Sequence, residues 1–216
     1  MYRVDLHTHS VASHDGGLTA EHYRKLLAHQ TLHYIAVTDH NRIDFAQDLQ
    51  RQLGDHILIG EEIMTTAGEI IGLFLKQKIE PHQTPYATIA AIREQGGIVY
   101  IPHPFESIRK GLHPAVMDEL ISHIDIVEVY NGRAFVQDRS TQVAVWSRLN
   151  QVPGAASSDA HGIRGIGKTY TIVKAPPTPG TIRHLISEGS AIAGRPGVRA
   201  LLYPKYNKLK KKLKRG

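Results

Sequence analysis

Short apolar runs alternate with amphipathic stretches along most of the chain. Nine of these runs are rich in β-branched or small apolar residues, which is typical of buried strands. They are residues 2–9, 34–40, 57–63, 69–75, 98–103, 124–130, 154–159, 170–173 and 191–193. Between these runs, apolar residues recur at the spacing that is typical of amphipathic helices. Thr19, Asn41 and Thr84 are candidate N-caps of these helices. The predicted helices are residues 20–30, 44–53, 85–95, 114–122, 135–149 and 180–188.

This alternation of strands and helices favours an α/β fold with a parallel sheet, either open or closed into a barrel. The proline-rich connector at residues 176–179 lies too near the end of the chain to separate two domains. A length of 216 residues suits one domain with a tail. We therefore predict a catalytic barrel at residues 1–195 and a basic C-terminal tail, helical in part, at residues 196–216.

The amino-acid composition limits which catalytic groups and metal ligands the chain can use. The chain is 41% hydrophobic and 21% charged, which indicates a globular core rather than disorder. It contains no cysteine, so disulfides, thiolate catalysis and cysteine-ligated metals are excluded. Its 14 histidines leave imidazole and carboxylate as the available metal ligands. No apolar stretch approaches the ~20 residues that span a bilayer, and no signal peptide is evident, so we expect a soluble cytoplasmic protein.

The positive charge is concentrated in the tail. The formal net charge is +6, and seven positive charges lie in residues 203–216, which contain no acid, so the remaining residues carry −1. Leu202, Tyr206, Leu209 and Leu213 fall on one helical face. We expect this apolar stripe to pack on the barrel with the lysines in water. An anionic membrane surface or an RNA backbone are the functional alternatives for the tail.

Histidines and acids follow five of the predicted strands at the point where each strand ends. The motifs are Asp5-Leu-His-Thr-His9, Thr38-Asp-His-Asn41, Gly60-Glu-Glu-Ile63, Ile101-Pro-His-Pro104 and Ser158-Asp-Ala-His161. Side chains alternate along a strand, so His7 and His9 point the same way. A lone histidine at a strand end usually has a structural role. Five such ends on one rim would be costly to bury without a partner, and a divalent cation supplies that partner.

Taken together, these motifs and Ser13-His-Asp-Gly16 resemble the polymerase and histidinol phosphatase (PHP) superfamily, in order and spacing, across residues 1–195. The resemblance implies a distorted (β/α)7 TIM-like barrel. It also implies a site for up to three divalent ions of zinc, manganese or iron. Members of the family hydrolyse phosphoesters, so the resemblance implies an enzyme, a metal-dependent phosphatase or phosphoesterase.

The resemblance also implies a ligand set. It comprises His7, His9 and Asp159 for a first metal, Glu62 bridging to a second, His103 on the second, and Asp15, His40 and His161 on a third. The family pattern selects Glu62 over Glu61, whose expected role is a salt bridge on the other face. One position departs from the family, because Glu69 stands on the strand where many relatives have a histidine. Glu69 is either the missing ligand or a turn residue in solvent.

We predict hydrolysis of a phosphate monoester of a small molecule or nucleotide. In this hypothesis a hydroxide bridging two metals attacks phosphorus, so no protein nucleophile is needed. Asn131 and Arg133 follow the sixth strand and are candidate substrate-binding residues. Asp5 and Asp39 are candidates to orient the imidazoles, with a helix N-cap as the alternative for Asp39.

Three other functions stay open at this point. The first is a 3′–5′ exonuclease or oligonucleotide-end hydrolase, although the near-neutral body argues against extended polymer binding. The second is an amidohydrolase-type enzyme that cleaves C–N bonds, since such enzymes also begin with His-x-His on a barrel. The third is a non-catalytic regulatory module stabilised by metal, which would be expected to have incomplete ligand sets.

Overall fold

The computed structural model describes residues 1–135 and 137–213. All nine predicted strands are present and join one sheet. They are β1 (Tyr2–Asp5), β2 (Tyr34–Val37), β3 (Ile57–Met64), β4 (Glu69–Leu73), β5 (Ile98–Ile101), β6 (Ile126–Asn131), β7 (Gly154–Ser157), β8 (Thr169–Val173) and β9 (Ser190–Ala193). Their order across the sheet is β7-β6-β5-β4-β3-β2-β1-β8-β9.

Helices follow most of the strands. They are α1 (Ala20–Ala28), α2 (Asp44–Leu53), α3 (Pro85–Glu94), α4 (Pro114–Glu119), α5 (Ser140–Leu149), α6 (Ile182–Ser187), α7 (Val198–Leu201) and α8 (Tyr203–Leu213). The predicted caps are confirmed at two helices, where Thr19 accepts from His22 N and Thr84 accepts from Ala87 N. The cap predicted at Asn41 is wrong. Its side-chain oxygen instead accepts a hydrogen bond from Met64 N, at 2.9 Å.

The sheet is parallel except around β4 and at the β8–β9 end. Strands β1 to β3 are parallel, as are β5 to β7, whereas β4 runs antiparallel to both of its neighbours. Only residues 65–68 separate β3 from β4, which is too short for a parallel crossover. The chain reverses there, with Thr65 N donating to Gly68 O at 2.9 Å. Glu69, the first residue of β4, therefore lies opposite Met64 near the end of β3.

The sheet curls into a nearly closed barrel, and the predicted α/β barrel is confirmed. Thr171 of β8 bridges to β7 through its hydroxyl, which accepts from Ala156 N at 2.9 Å and donates to Ala156 O at 3.1 Å. Near the rim, His9 N donates to Ala160 O at 3.0 Å. Apolar side chains from β1 to β8, among them Val4, Leu58 and Ile126, form one buried cluster of the core. The polar residues of the site lie beyond the carboxyl ends of the parallel strands.

The C-terminal helix α8 docks on the barrel with a different face from the one expected. The residues of the apolar stripe (Leu202, Tyr206, Leu209 and Leu213) are 54–74% exposed, so the expectation that they pack on the barrel is wrong. Instead Asn207 Nδ2 donates to Asp15 O at 2.8 Å and His161 O at 2.9 Å. The surface beneath α8 offers backbone carbonyls, which need hydrogen-bond donors that leucine cannot supply.

The structure does not test the remaining predictions for the tail. The division of the chain at residue 195 stays a prediction, and Lys214 and Arg215 lie outside the described residues. None of the helices in the described residues is long and apolar enough to cross a bilayer.

Glu61 and Glu62 are neighbours on β3, and alternation points their side chains to opposite faces of the sheet. Glu61 is fully buried, and its Oε2 accepts a hydrogen bond from Ile79 N at 2.8 Å. This bond takes the place of the salt bridge expected for Glu61. Burial raises the pKa of the Glu61 carboxyl from 4.5 to about 7.

The raised pKa of Glu61 predicts a pH-dependent stability. The folded chain keeps this carboxyl protonated up to about pH 7, whereas the unfolded chain loses the proton near 4.5. The free energy of unfolding of the wild type therefore falls as pH rises through this window. Glu61→Gln stays neutral, so we expect it to exceed wild type by about 1–3 kcal/mol at pH 8 and to differ little at pH 4.

Urea unfolding of both proteins at the two pH values measures this difference. The exposed Glu119→Gln serves as the control and should show no such pH-dependent gain. A Glu61→Gln effect of equal size at both pH values would contradict the pKa assignment.

Candidate metal centre

The nine predicted ligands converge at one mouth of the barrel. They are His7, His9, Asp15, His40, Glu62, Glu69, His103, Asp159 and His161. All of them are buried except His40, whose side chain is 19% exposed. Each side chain comes from a strand end or from the loop that follows it, apart from Glu69, which reaches this rim because β4 is reversed. Their roles as ligands stay a prediction, whereas their convergence is a feature of the structure.

Among the described residues, the possible ligand atoms at the mouth form four groups. Within each group, all of these atoms lie within 4.8 Å of one another. The groups are His7 with His9 and Asp159; His7 with Glu62 and His103; His40 with Glu62 and Glu69; and His9 with Asp15, His40 and His161. Glu62 belongs to two groups, so its carboxylate could contribute to more than one ion, and its bridging role stays a prediction. Glu69 lies in one of them, so the geometry favours the ligand interpretation over a turn residue in solvent.

The spacing of the donors fits a divalent cation. Two ligands that each lie 2.0–2.2 Å from one ion are about 3.0–3.5 Å from each other. His7 Nε2 is 3.1 Å from His9 Nε2, which is itself 3.3 Å from Asp159 Oδ1. His103 Nε2 is 3.0 Å from Glu62 Oε1. These separations match the edges of a metal's coordination shell.

The buried side-chain atoms at the mouth that lack hydrogen bonds include one ring nitrogen and one carboxylate oxygen that face other predicted ligands. His161 Nε2 has none and lies 3.4 Å from Asp15 Oδ2. Glu62 Oε2 has none either, although His40 Nδ1 is 3.0 Å away. An unsatisfied polar atom is costly to bury, and cations held by the donor groups of His161 and of Glu62 would satisfy these atoms. The residues present therefore fit divalent ions held by imidazole and carboxylate.

Electrostatic coupling links the imidazoles to the carboxylates. Burial lowers the pKa of His7, but the charges of Asp159, Glu62 and Glu128 outweigh it and hold that pKa well above its usual value. Burial raises the pKa of Glu62, yet the charges of His40 and His7 carry it well below its usual value. Protons on the histidines therefore compete with a cation, and metal affinity falls as pH falls.

Glu128 is a supporting residue that the sequence analysis missed. Its Oε1 lies 3.2 Å from His7 Nδ1 and accepts from Tyr100 OH at 3.0 Å, and its Oε2 accepts from His103 N at 2.6 Å. A carboxylate on Nδ1 fixes the ring so that Nε2 points to the site. The available signal was a single acid inside the apolar strand β6, since a buried charge needs a partner.

The two aspartates proposed to orient imidazoles do not contact them. Asp5 Oδ1 accepts from the backbone N of Ser158 at 3.0 Å and of His7 at 3.4 Å, so it holds the chain rather than a ring. Asp39 accepts from Ser10 N at 2.7 Å and from Ser10 Oγ at 2.5 Å. Asp39 does not cap α2 either, because that helix has Ile43 at its N-cap. Both proposed roles of Asp39 are therefore wrong.

Two arginines stand over the site beside Asp159. Arg133 Nη1 is 3.2 Å from both carboxylate oxygens of Asp159 and from His161 Nδ1. Arg109 Nη1 donates to Asp159 Oδ2 at 2.7 Å and to Asn131 Oδ1 at 2.6 Å. Arg133 lines a cavity over the predicted ligands, and its role in substrate binding stays a prediction. Asn131 instead bonds to protein partners, among them Arg109 and the backbone of Arg133.

Two of the predicted ligands have a strained backbone conformation. His103 has φ of 29° and Asp159 has φ of 48°, both in the left-handed half of the map. Such conformations persist only where the surroundings impose them, and they are concentrated at functional sites. At these two positions, the strain turns the side chains towards the other donors.

Known proteins share this fold and sequence pattern. A family model described as PHP-associated matches residues 141–190. The uncharacterized protein MJ1587 of Methanocaldococcus jannaschii is 37% identical over 143 residues, which are 60% of this chain and 82% of that protein. A two-domain protein of Bacteroides vulgatus, containing a predicted PHP-like metal-dependent phosphoesterase, superposes with a TM-score of 0.72 at 20% identity, over 96% of this chain and 69% of that one. The chain belongs to the PHP superfamily.

A second similar solved structure is of a protein named as a different class of enzyme. It is an amidohydrolase of Chromobacterium violaceum with bound sulfate and no metal, and it aligns with a TM-score of 0.62 at 16% identity, over 87% of the PHP chain and 97% of its own. At this identity the likeness shows the fold alone. PHP membership and the histidine–carboxylate groups together support dependence on divalent cations.

Replacing His7 tests the metal centre directly. His7 belongs to two of the four donor groups, so His7→Ala should lower the divalent ions bound per chain by at least one. Elemental analysis of metal-replete, desalted protein measures this number. The exposed His29→Ala should bind as many ions as the wild type, and equal metal content in all three proteins would contradict the site.

Proposed function

We propose that this PHP protein is a metal-dependent phosphoesterase that hydrolyses a phosphate monoester of a small molecule or nucleotide. The observation that carries the proposal is a cavity of about 610 Å³ that is lined by all the predicted metal ligands except His7, together with the arginines Arg109 and Arg133. A dianionic phosphate fits such a cavity, since it can meet cations and fixed hydrogen-bond donors together.

Charge balance supports an anionic substrate. The ligand carboxylates are those of Asp15, Glu62, Glu69 and Asp159. Three divalent ions of zinc, manganese or iron would outweigh these four charges and leave the mouth cationic. Without cations, the same carboxylates lie in a buried space where imidazoles, arginines and Lys208 offset their repulsion.

The protein's own residues bind and orient the substrate. Arg133 keeps free donors after its contacts with Asp159, because a guanidinium carries five N–H groups in a planar fork that suits phosphate. Arg109 is held at the wall by Asn131 and by Glu106, whose oxygens it meets at 2.6 Å. When bound, the metal ions supply Lewis-acid charge for phosphate oxygens and lower the pKa of water.

Three alternative functions have different degrees of support from the sequence and the structure. An amidohydrolase-type activity is favoured by the Chromobacterium violaceum neighbour, although the sulfate in that structure is a tetrahedral dianion like phosphate. An exonuclease would need an extended cationic track, and the body of this chain is nearly neutral. A non-catalytic module is disfavoured because all nine ligand positions carry metal-binding side chains.

A hydrolysis screen on metal-loaded protein tests the proposal. The substrates are an aryl phosphate, sugar phosphates, nucleoside monophosphates, short RNA and a hydantoin-type amide. We expect phosphate release from a monoester, and a loss of about 100-fold or more in His7→Ala because Lewis-acid stabilisation is worth several kcal/mol. His29→Ala should keep wild-type rates. Amide cleavage without phosphate release, or turnover that survives chelation, would contradict the assignment.

A further inference from the structure

The apolar stripe of α8 faces solvent and continues into α7. Val198 extends it at the same spacing, so the stripe has five members, which are Val198, Leu202, Tyr206, Leu209 and Leu213. At about 100° per residue, steps of four, four, three and four residues keep these side chains within an arc of about 80°. All five are 54–74% exposed, so the described part of the chain leaves this face uncovered.

The opposite face of the segment holds it on the barrel. Asn207 is buried, and its Nδ2 and the Nζ of Lys211 donate hydrogen bonds to backbone carbonyls of the loop at residues 11–16. Ala200 and Pro204 are buried on the same side. These four positions repeat at four, three and four residues and lie about half a turn from the stripe. The segment is therefore anchored through one face, and the stripe points outward.

Basic side chains border the stripe on both sides. The bordering residues are Lys205, Lys208 and Lys212 on one side and Arg199 and Lys210 on the other, and all five are exposed. Lys210 Nζ lies 5.9 Å from the centre of the Tyr206 ring. Residues 189–216 contain no aspartate or glutamate. The apolar stripe is therefore surrounded by positive charge.

Two loops next to α8 add exposed apolar side chains. Ile108, which follows β5, and Phe135, which follows β6, are 66% and 61% exposed and line a small cavity together with Leu201 and Lys205. The stripe residues line neither this cavity nor the one over the metal centre. The stripe is thus a ridge beside the mouth of the barrel and not the wall of either cavity.

The combination of apolar and basic groups distinguishes between the possible occupants of the ridge. A second copy of the chain would bring two basic borders together, and like charges repel. A nucleic-acid backbone would match the charge but would leave five apolar side chains in water. An anionic bilayer matches both features, because apolar side chains enter its interface while lysines reach the headgroup phosphates.

We propose that residues 198–213 bind the surface of an anionic lipid bilayer. The stripe enters the interface, and the bordering lysines and Arg199 contact the lipid headgroups. The barrel stays in water with its mouth next to the bilayer, since Lys205 borders the stripe and also lines the cavity over the metal centre. This surface is independent of the proposed phosphoesterase function.

Vesicle sedimentation with the full, metal-replete chain tests the surface. The vesicles are phosphatidylcholine alone and phosphatidylcholine with about one third phosphatidylserine. We expect binding to the anionic vesicles to be at least about tenfold tighter and to weaken with added salt, because several basic residues act near the surface.

A pair of apolar substitutions separates insertion from charge attraction. Tyr206→Ser/Leu209→Ser should weaken binding to the anionic vesicles about tenfold or more, because it removes apolar area from the stripe. The matched control is Val145→Ser/Leu149→Ser on α5, whose side chains are also exposed and one helical turn apart. It should bind as wild type does.

Insertion can also be observed directly, because the chain has no cysteine. Leu209→Cys provides a single attachment point for a nitrobenzoxadiazole dye, whose emission rises and shifts to the blue in an apolar environment. We expect both changes when anionic vesicles are added, and neither when the dye is attached at Leu149→Cys.

Four results would overturn the proposal. They are equal binding to both kinds of vesicle, equal losses in the two double variants, full binding by Tyr206→Ser/Leu209→Ser, and a dye at position 209 that stays in water. A dimer that Tyr206→Ser/Leu209→Ser dissociates, without vesicle binding, would assign the stripe to a second copy. Binding of single-stranded RNA without vesicle binding would assign the segment to nucleic acid.

Discussion

The structure depends on the burial of carboxylates and imidazoles at one end of a barrel. Groups such as Glu62 and Asp159 are nearly inaccessible to water, and their charges can be tolerated only next to an opposite charge. In the chain alone that charge comes from protonated imidazoles and from arginines at Asp159. Cations would supply it more completely, so metal binding and the stability of this end of the barrel are parts of the same balance.

Much of the fold could be predicted because buried strands of a barrel have a clear pattern. Runs of β-branched or small apolar residues predicted all nine strands, and the histidines and acids at the ends of five of them marked the rim. The direction of β4 was not visible in that pattern, because hydrophobicity does not depend on strand direction. The four-residue link before Glu69 contained the missing information, since so short a link permits only a reversal.

The residues of the site could be predicted where a short local motif identified them. They could not be predicted where their role depends on a contact with a residue that is distant in sequence. The ligand positions were found from local motifs, but Glu128 supports His7 across 121 residues, and no local pattern reports that contact. The prediction for Asp39 was wrong for a similar reason, because its hydrogen-bond partner Ser10 follows a different strand. The prediction that the apolar stripe of the tail packs on the barrel was wrong. Amphipathicity identifies the apolar face of a helix but does not show which surface the helix will contact.

The anchor of α8 also affects the order of assembly. The hydrogen bonds of Asn207 join residues separated by 192 and 46 positions, so they form only after the ribosome has synthesised the chain beyond residue 207. Until then the loop at residues 11–16 lacks the contacts that hold it over the rim, and loop closure over such a distance is entropically costly. Helix α8 thus completes a cavity whose other wall includes the residues that follow β1.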